Sequence, residues 1–114
     1  MSRHNDQRLA DILAAAAAIA DHTTRGGLED GLVFDAVRVR LIEIGEAVKA
    51  IDPELLAEEP SIPWIDVAGM RNHLAHRYFD TDHSLVQATV TKDLPPLVAA
   101  AERLLKRIAT APQA

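Results

Sequence analysis

The chain has 114 residues, of which 48% are hydrophobic and 25% are charged, the composition of one globular domain over residues 1–114. It contains no cysteine, which excludes disulfides and thiolate metal sites. The formal net charge of −5 argues against a broad basic surface for nucleic acid, although a small cluster of arginines is compatible with it. No apolar run is long enough for a membrane span and no signal-peptide pattern is present, so we expect a cytoplasmic protein.

Two amphipathic helices are predicted in the first half of the chain. Residues 6–21 carry apolar side chains at steps of three and four, and Asn5 or Asp6 is available as the amino-terminal cap. Residues 29–51 carry a similar apolar seam and further apolar residues away from it. A helix that is apolar on more than one face is usually covered on more than one face. We therefore expect the second helix to pack against other helices of the chain and against a second subunit.

The second half of the chain predicts further helices over residues 63–78, 83–94 and 96–109. Pro63 suits the first turn of a helix, where a missing amide hydrogen costs nothing. Pro95-Pro96 requires the last helical stretch to break, restart or kink. No stretch shows the alternation of a strand. The sequence thus predicts an all-α, antiparallel bundle of four to five helices.

The third predicted helix carries more polar residues than packing alone requires. Val67 and Leu74 mark its apolar face, and Arg71 lies at the edge of that face. At about 100° per residue, Arg71 and His76 are about 140° apart around the helix. One copy does not easily bring both side chains onto one small group, whereas two facing copies can. This geometry predicts a site at the interface of a homodimer.

The residue types in this helix indicate a defined chemistry. His76 can transfer a proton near neutral pH, and Arg71 can grip a phosphate and stabilise developing negative charge. Asn72 can position a hydroxyl or hold the histidine tautomer. Tyr78 can donate a hydrogen bond, stack on a base or accept a transferred group. Without a carboxylate cluster, the pair suits metal-independent RNA cleavage, in which the ribose 2′-hydroxyl attacks the adjacent phosphate.

Each of these residues also has an ordinary structural interpretation. Arg71 could pair with a carboxylate, and His76 could lie on a solvated helix face. Glu46 could belong with Glu43 to a polar stripe, or it could face the cleft and orient Arg71. His73 lies three residues before His76, but no carboxylate stands at ligand spacing between them, so neither a metal site nor a cofactor is predicted.

The other aromatic and basic residues are assigned more simply. Trp64 is expected in the core or in an interface. Arg77, together with His73, is a candidate RNA contact. The remaining basic residues considered are expected on solvated faces: Arg38, Arg40, Arg103, Lys106 and Arg107.

At the third helix the chain resembles the HepT-like branch of the HEPN superfamily. The family's mark is an arginine, a polar residue, three further residues, a histidine, one residue and a tyrosine, which Arg71, Asn72, His76 and Tyr78 match. The likeness extends over about residues 6–108. Its other landmarks are Asp11-Ile12-Leu13, Ile44-Gly45-Glu46-Ala47, Ile62-Pro63-Trp64, Gly69-Met70 and Asp93-Leu94-Pro95.

The resemblance implies an HEPN-type homodimer that acts as an endoribonuclease toxin, encoded beside a small nucleotidyltransferase antitoxin called MntA. Arg71 and His76 would be the catalytic pair. From its residue type and position we expect Asn72 to support the site, and Glu46 could support it by orienting Arg71. The antitoxin would silence the toxin by transferring AMP to Tyr78.

An alternative is a non-catalytic binding module that serves as partner and substrate of the transferase, a role that the acidic net charge favours. A structural dimer with a degenerate site explains the intact motif least well. The chain departs from the family in its alanine-rich first helix and in the extra His73 and Arg77, which bear on substrate or partner preference.

Overall fold

The computed structural model describes residues 3–76 and 83–110 of the chain. Every regular element among them is helical, so the predicted all-α fold is confirmed. The elements are α1 (Arg3–Thr23), α2 (Gly31–Lys49), α3 (Pro53–Leu56), α4 (Trp64–His76), α5 (His83–Ala88), a π-helical segment (Thr89–Asp93) and α6 (Leu94–Thr110). None of the described helices is long and apolar enough to cross a membrane.

The helix α2 lies at the centre of the bundle. It packs along both α1 and α4, and α1 also packs against α6. Its side chains Val37, Leu41 and Ile44 are at most 1% exposed. Each such side chain contributes about 1.5–3 kcal/mol by leaving water. Coverage by two helices of the same chain explains why α2 is apolar on more than one face.

The start of α1 differs from the predicted cap. The helix already begins at Arg3, so Asn5 lies inside its first turn. The Asn5 side chain is 2% exposed and exchanges two hydrogen bonds of 3.1 Å with Asp52. Its Nδ2 donates to the Asp52 carboxylate, and the Asp52 amide donates to its Oδ1. A buried amide needs such partners, and this pair fastens the start of α1 to the link between α2 and α3.

Pro95 and Pro96 do not interrupt the last helix. They are the second and third residues of α6, and the helical path continues into them from the π-helical segment. A proline removes one backbone donor and crowds the carbonyl four residues earlier. Directly before the prolines, the amide of Leu94 donates to the carbonyl of Thr89, five residues back. The wider turn accommodates both rings, and it is the form that the predicted irregularity takes.

A buried carboxylate fixes the link that leads into α4. Glu59 is 6% exposed, and its carboxylate accepts hydrogen bonds of 2.6–3.2 Å from Nε and Nη2 of Arg103. Nη2 of Arg107 lies 3.1 Å from the same carboxylate. The backbone carbonyl of Glu59 accepts a 3.0 Å hydrogen bond from the indole of Trp64, the first residue of α4. This clamp ties the start of α4 to α6.

The clamp corrects the expectation that Arg103 and Arg107 lie on a purely solvated face. Both are about half exposed, yet both pair with Glu59. The hydrogen bond from Arg103 is the main reason why the pKa of Glu59 lies below its ordinary value near 4.5. Burial acts in the opposite direction, and the charges of Arg103 and Arg107 lower the pKa further.

The helices α2 and α4 are in close contact at Gly45. A Cβ built on Gly45 would lie 2.9 Å from the Cβ of Arg71. It would lie 3.1 Å from both the amide nitrogen of Arg71 and the carbonyl oxygen of Val67. These atoms belong to the α4 backbone or adjoin it, so they cannot rotate away. A glycine at this position therefore permits the observed separation of the two helices.

Glu59→Gln is expected to lower the free energy of unfolding at neutral pH, because it removes the charge that both arginines pair with. A carboxyl group with a depressed folded pKa contributes stability above its unfolded pKa, and that contribution is lost as the pH falls through the folded value. Urea denaturation from neutral pH to about pH 3 should therefore show a smaller loss of stability in Glu59→Gln than in the wild type. Glu58→Gln is the control, because Glu58 is about half exposed and pairs weakly with Arg107 at 3.4 Å. Equal pH dependence in the wild type and Glu59→Gln would contradict the clamp.

Gly45→Ala is expected to destabilise the protein by about 1–3 kcal/mol, because α4 must shift to admit the methyl group. Gly69→Ala is the matched control on α4, since a Cβ there meets nothing within 4 Å. It should stabilise the protein by roughly 0.5–1 kcal/mol through helix propensity. Chemical denaturation measures the free energy of unfolding of both variants. A Gly45→Ala variant as stable as Gly69→Ala would contradict the close contact between α2 and α4.

Candidate active site

Arg71 lies on the face of α4 that meets α2, opposite Gly45 and Glu46. Its Nε forms an ion pair with Oε1 of Glu46. Its Nη1 donates a 2.8 Å hydrogen bond to Oδ1 of Asn72, the next residue on the helix. The side chains of Arg71 and Glu46 are 35% and 50% exposed. The guanidinium is thus held at two points while solvent, or a substrate phosphate, can still reach it.

The sequence left two positions open for Glu46, one in a polar stripe with Glu43 and one facing Arg71. The ion pair of Glu46 with Arg71 favours the second. Glu43, its neighbour on α2, pairs instead with Arg40 at 2.9 Å and lies in a polar stripe. Glu46 turns toward α4 and contacts Arg71. A pair this exposed contributes about 0–1 kcal/mol to stability. Its larger consequence is geometric, because it directs the guanidinium along the α2 side of α4.

His73 does not join this group. It lies about 160° from Arg71 around α4 and lines an open groove on the other side of the helix, with a volume of about 830 Å³. The walls of the groove are mainly apolar and include Met70, Leu85 and Leu94. Within one copy of the chain, any contact of His73 with RNA would therefore lie away from the Arg71 guanidinium.

The other motif residues fall at the edge of the described structure. His76 is the last described residue of α4, five positions after Arg71. The structure describes its backbone but not its side chain. Arg77 and Tyr78 lie outside the described residues. The described part of the candidate active site is therefore Arg71 with Glu46 and Asn72.

Glu46 also borders a recess of about 750 Å³ between α1 and α2. Alanines form much of its lining, and ion pairs of Arg8 with Asp11 and of Arg40 with Glu43 frame it, at 3.0 and 2.9 Å.

In the described ranges, no three His, Asp or Glu side chains are grouped as ligands of a metal ion would be.

Arg38 lies near the motif, although the sequence analysis expected it on a solvated face. It is half-buried, and its Nη1 donates a 3.0 Å hydrogen bond to the carbonyl of Leu74 in α4. The spacing in the sequence could have predicted this contact, because Arg38 stands seven residues before Gly45 and both therefore lie on the same face of α2. That face is the one that meets α4.

Comparison with known proteins places the chain among relatives along most of its length. The ribonuclease HepT-like family model matches residues 9–104. A protein of Thermococcus cleftensis named "Probable ribonuclease HepT" is 36% identical over 110 residues, which cover 93% of this chain and 100% of that protein. A Methanocaldococcus jannaschii protein, named as a candidate RNase, is 35% identical over 104 residues, which cover 88% of this chain and 86% of the relative. No solved structure gives a significant match.

The matched region takes in α2 and α4, the contact at Gly45 and the ion pair of Glu46 with Arg71. The resemblance noted from the motif is thereby confirmed over nearly the whole chain. The chain belongs to the ribonuclease HepT-like family.

Proposed function

We propose that the protein is a metal-independent endoribonuclease and the toxin of a type VII-like toxin–antitoxin pair, with Arg71 and His76 as its catalytic pair. The observation that carries this proposal is the partly exposed Arg71 guanidinium, held by Glu46 and Asn72. His76 lies on the same helix, about 7.5 Å farther along its axis. The ribonuclease names of the relatives support the same class of activity.

The proposed reaction uses the ribose of the substrate as nucleophile. His76 takes the proton from the 2′-hydroxyl, the 2′-oxygen attacks the adjacent phosphorus, and the bond from phosphorus to the 5′-oxygen breaks. Arg71 stabilises the charge that builds on the phosphate oxygens. The leaving 5′-oxygen takes up a proton, so the products end in a 2′,3′-cyclic phosphate and a 5′-hydroxyl. DNA lacks the nucleophile and is not cut.

We further propose that the active site is shared by two copies of the chain. Arg71 and His76 occupy positions about 140° apart around α4, so one copy of the helix does not easily bring both residues onto one phosphate. The helix α2 also leaves Leu32 and Val39 83% and 47% exposed, seven residues apart on one face. Exposed apolar side chains on the helix beside the site supply a surface for a second subunit.

Purified protein is expected to cleave RNA in the presence of excess chelator, and His76→Ala should abolish this cleavage without unfolding the protein. Loss of a general base typically costs about 10²–10⁴-fold in rate. His22→Ala, near the end of α1, is the control and should keep full activity. Cleavage that requires a divalent metal, or that persists in His76→Ala, would sink the mechanism.

The same assay tests the shared site. Arg71→Ala and His76→Ala are each expected to be inactive as homodimers. Mixed dimers of the two variants contain one site with an intact arginine from one copy and an intact histidine from the other. Mixing should therefore restore a measurable part of the cleavage, and a mixture as inactive as its components would argue for a site within one chain.

We propose that Tyr78 is the point of control by a nucleotidyltransferase antitoxin of the MntA type. The phenolic oxygen of Tyr78 would attack the α-phosphate of ATP, which leaves AMP on the tyrosine and releases pyrophosphate. Mass spectrometry after incubation with the transferase and ATP should show added AMP in the wild type and none in Tyr78→Phe. AMP that is still added to Tyr78→Phe would exclude this acceptor.

The second candidate is a non-catalytic module that serves only as partner and substrate of the transferase. The net charge of −5 favours it, because a strongly acidic surface weakens RNA binding. Added AMP on Tyr78 together with no RNA cleavage by the unmodified protein would establish this role in place of the toxin role.

A further inference from the structure

The open groove beside His73 separates α4 from the stretch formed by α5, the π-helical segment and α6, and we call it the α4 groove. Buried Leu41 and Ile44 of α2 lie at its bottom. One wall is the face of α4 that carries Ile65, Gly69 and His73, at steps of four residues and all exposed. Among the described helices, α4 packs closely against α2, and no comparable packing joins it to α5, the π-helical segment or α6. This face of α4 therefore has no helical neighbour in the described structure.

The α4 groove leaves large apolar side chains open to solvent. Ile65 on one wall is 88% exposed, and Leu85 on the other is 49% exposed. Met70 and Leu94 add further apolar lining. Contiguous apolar surface of this kind marks interaction sites. A space between two helical walls above an apolar floor suits the apolar face of an additional helix.

The charge of the groove narrows the class of partner. Among the described residues that line it, Asp66 and Asp93 are acids, and none is a lysine or an arginine. Both acids are exposed, and neither pairs with a basic side chain in the described part of the chain. Asp66 also lies ten residues before His76, about 15 Å along α4. Unpaired carboxylates repel the phosphates of RNA and attract basic side chains.

We propose that the α4 groove binds a basic amphipathic helix of a protein partner. The apolar side chains of that helix would pack on Ile65 and Leu85, and lysines or arginines beside them would pair with Asp66 and Asp93. The groove lies on the other side of α4 from Arg71, so the docked helix leaves the Arg71 guanidinium open. The inference goes beyond the proposed function and does not rest on it, because it uses no catalytic residue.

The experiment titrates the full chain with a synthetic helical peptide of about 16 residues, with leucines at steps of three and four and lysines on both sides of this stripe. One control peptide has glutamates in place of the lysines, and another has the composition of the lysine peptide in scrambled order. Fluorescence anisotropy measures each Kd. The lysine peptide should bind about tenfold more tightly than either control. Equal binding of the lysine and glutamate peptides would overturn the proposal.

NMR of the ¹⁵N-labelled chain locates the bound peptide. The lysine peptide should shift the amide signals of Gly69, Met70 and Leu85, which line the α4 groove. It should leave those of Ala14 and Ala18, in the recess between α1 and α2, in place. Shifts confined to Ala14 and Ala18 would overturn the proposal.

Variants of the groove test its apolar and acidic parts separately. Ile65→Ser should weaken the lysine peptide about tenfold, and the exposure of Ile65 leaves the fold intact. Asp66→Lys with Asp93→Lys should weaken the lysine peptide and strengthen the glutamate peptide, each about tenfold. Partial unfolding cannot produce such an exchange of preference. Glu102→Lys, exposed on α6 outside the groove lining, is the control and should change neither Kd.

Other occupants of the α4 groove give different results in the same assays. If a second copy occupies it, Ile65→Ser should abolish self-association in analytical ultracentrifugation. If RNA occupies it, an RNA oligonucleotide should shift the amide signals of Gly69 and Leu85. If the chain itself fills the groove, neither the lysine nor the glutamate peptide should bind. Each of these results would overturn the proposal.

Discussion

The candidate site depends on the close contact between α2 and α4 at Gly45. Because Gly45 has no side chain, the backbone of α4 lies against α2 at Arg71, and the next residue of α2, Glu46, can then reach the guanidinium. A larger residue at position 45 would press on Val67 and Arg71 and move the arginine away from its carboxylate. One small residue on the central helix thus sets the position of a charged group on its neighbour.

The two ends of α4 are held by different kinds of interaction. At its start, the indole of Trp64 donates to the carbonyl of Glu59, whose side chain is clamped by Arg103 of α6. In its last described turn, the carbonyl of Leu74 accepts a 3.0 Å hydrogen bond from Arg38 of α2. Each contact contributes little energy by itself, since a typical hydrogen bond contributes about 0.5–1.5 kcal/mol. Together with the contact at Gly45, they hold α4 in place beside α2.

The fold and the site differ in how far the sequence predicts them. The apolar periodicity of residues 6–21 and 29–51 is a local signal, and it was sufficient for an all-α bundle. The pairings of Arg38 and Arg103 join residues 36 and 44 positions apart, so no local pattern contains them. Pro95-Pro96 announced an irregularity, but only the path of the whole helix showed a π turn in place of a break. The motif indicated Arg71, whereas the reason for its orientation lies on another helix.

The coupling between Glu46 and Arg71 in RNA cleavage tests this account most directly. Glu46→Gln removes the charge and keeps the shape, and its effect is measured in the wild type and in an Arg71→Lys background. The account predicts that Glu46→Gln lowers kcat about tenfold in the wild type and changes the residual rate of Arg71→Lys little, a coupling of about 1.4 kcal/mol. Equal losses in the two backgrounds would show that Glu46 acts independently of Arg71 and would contradict the account.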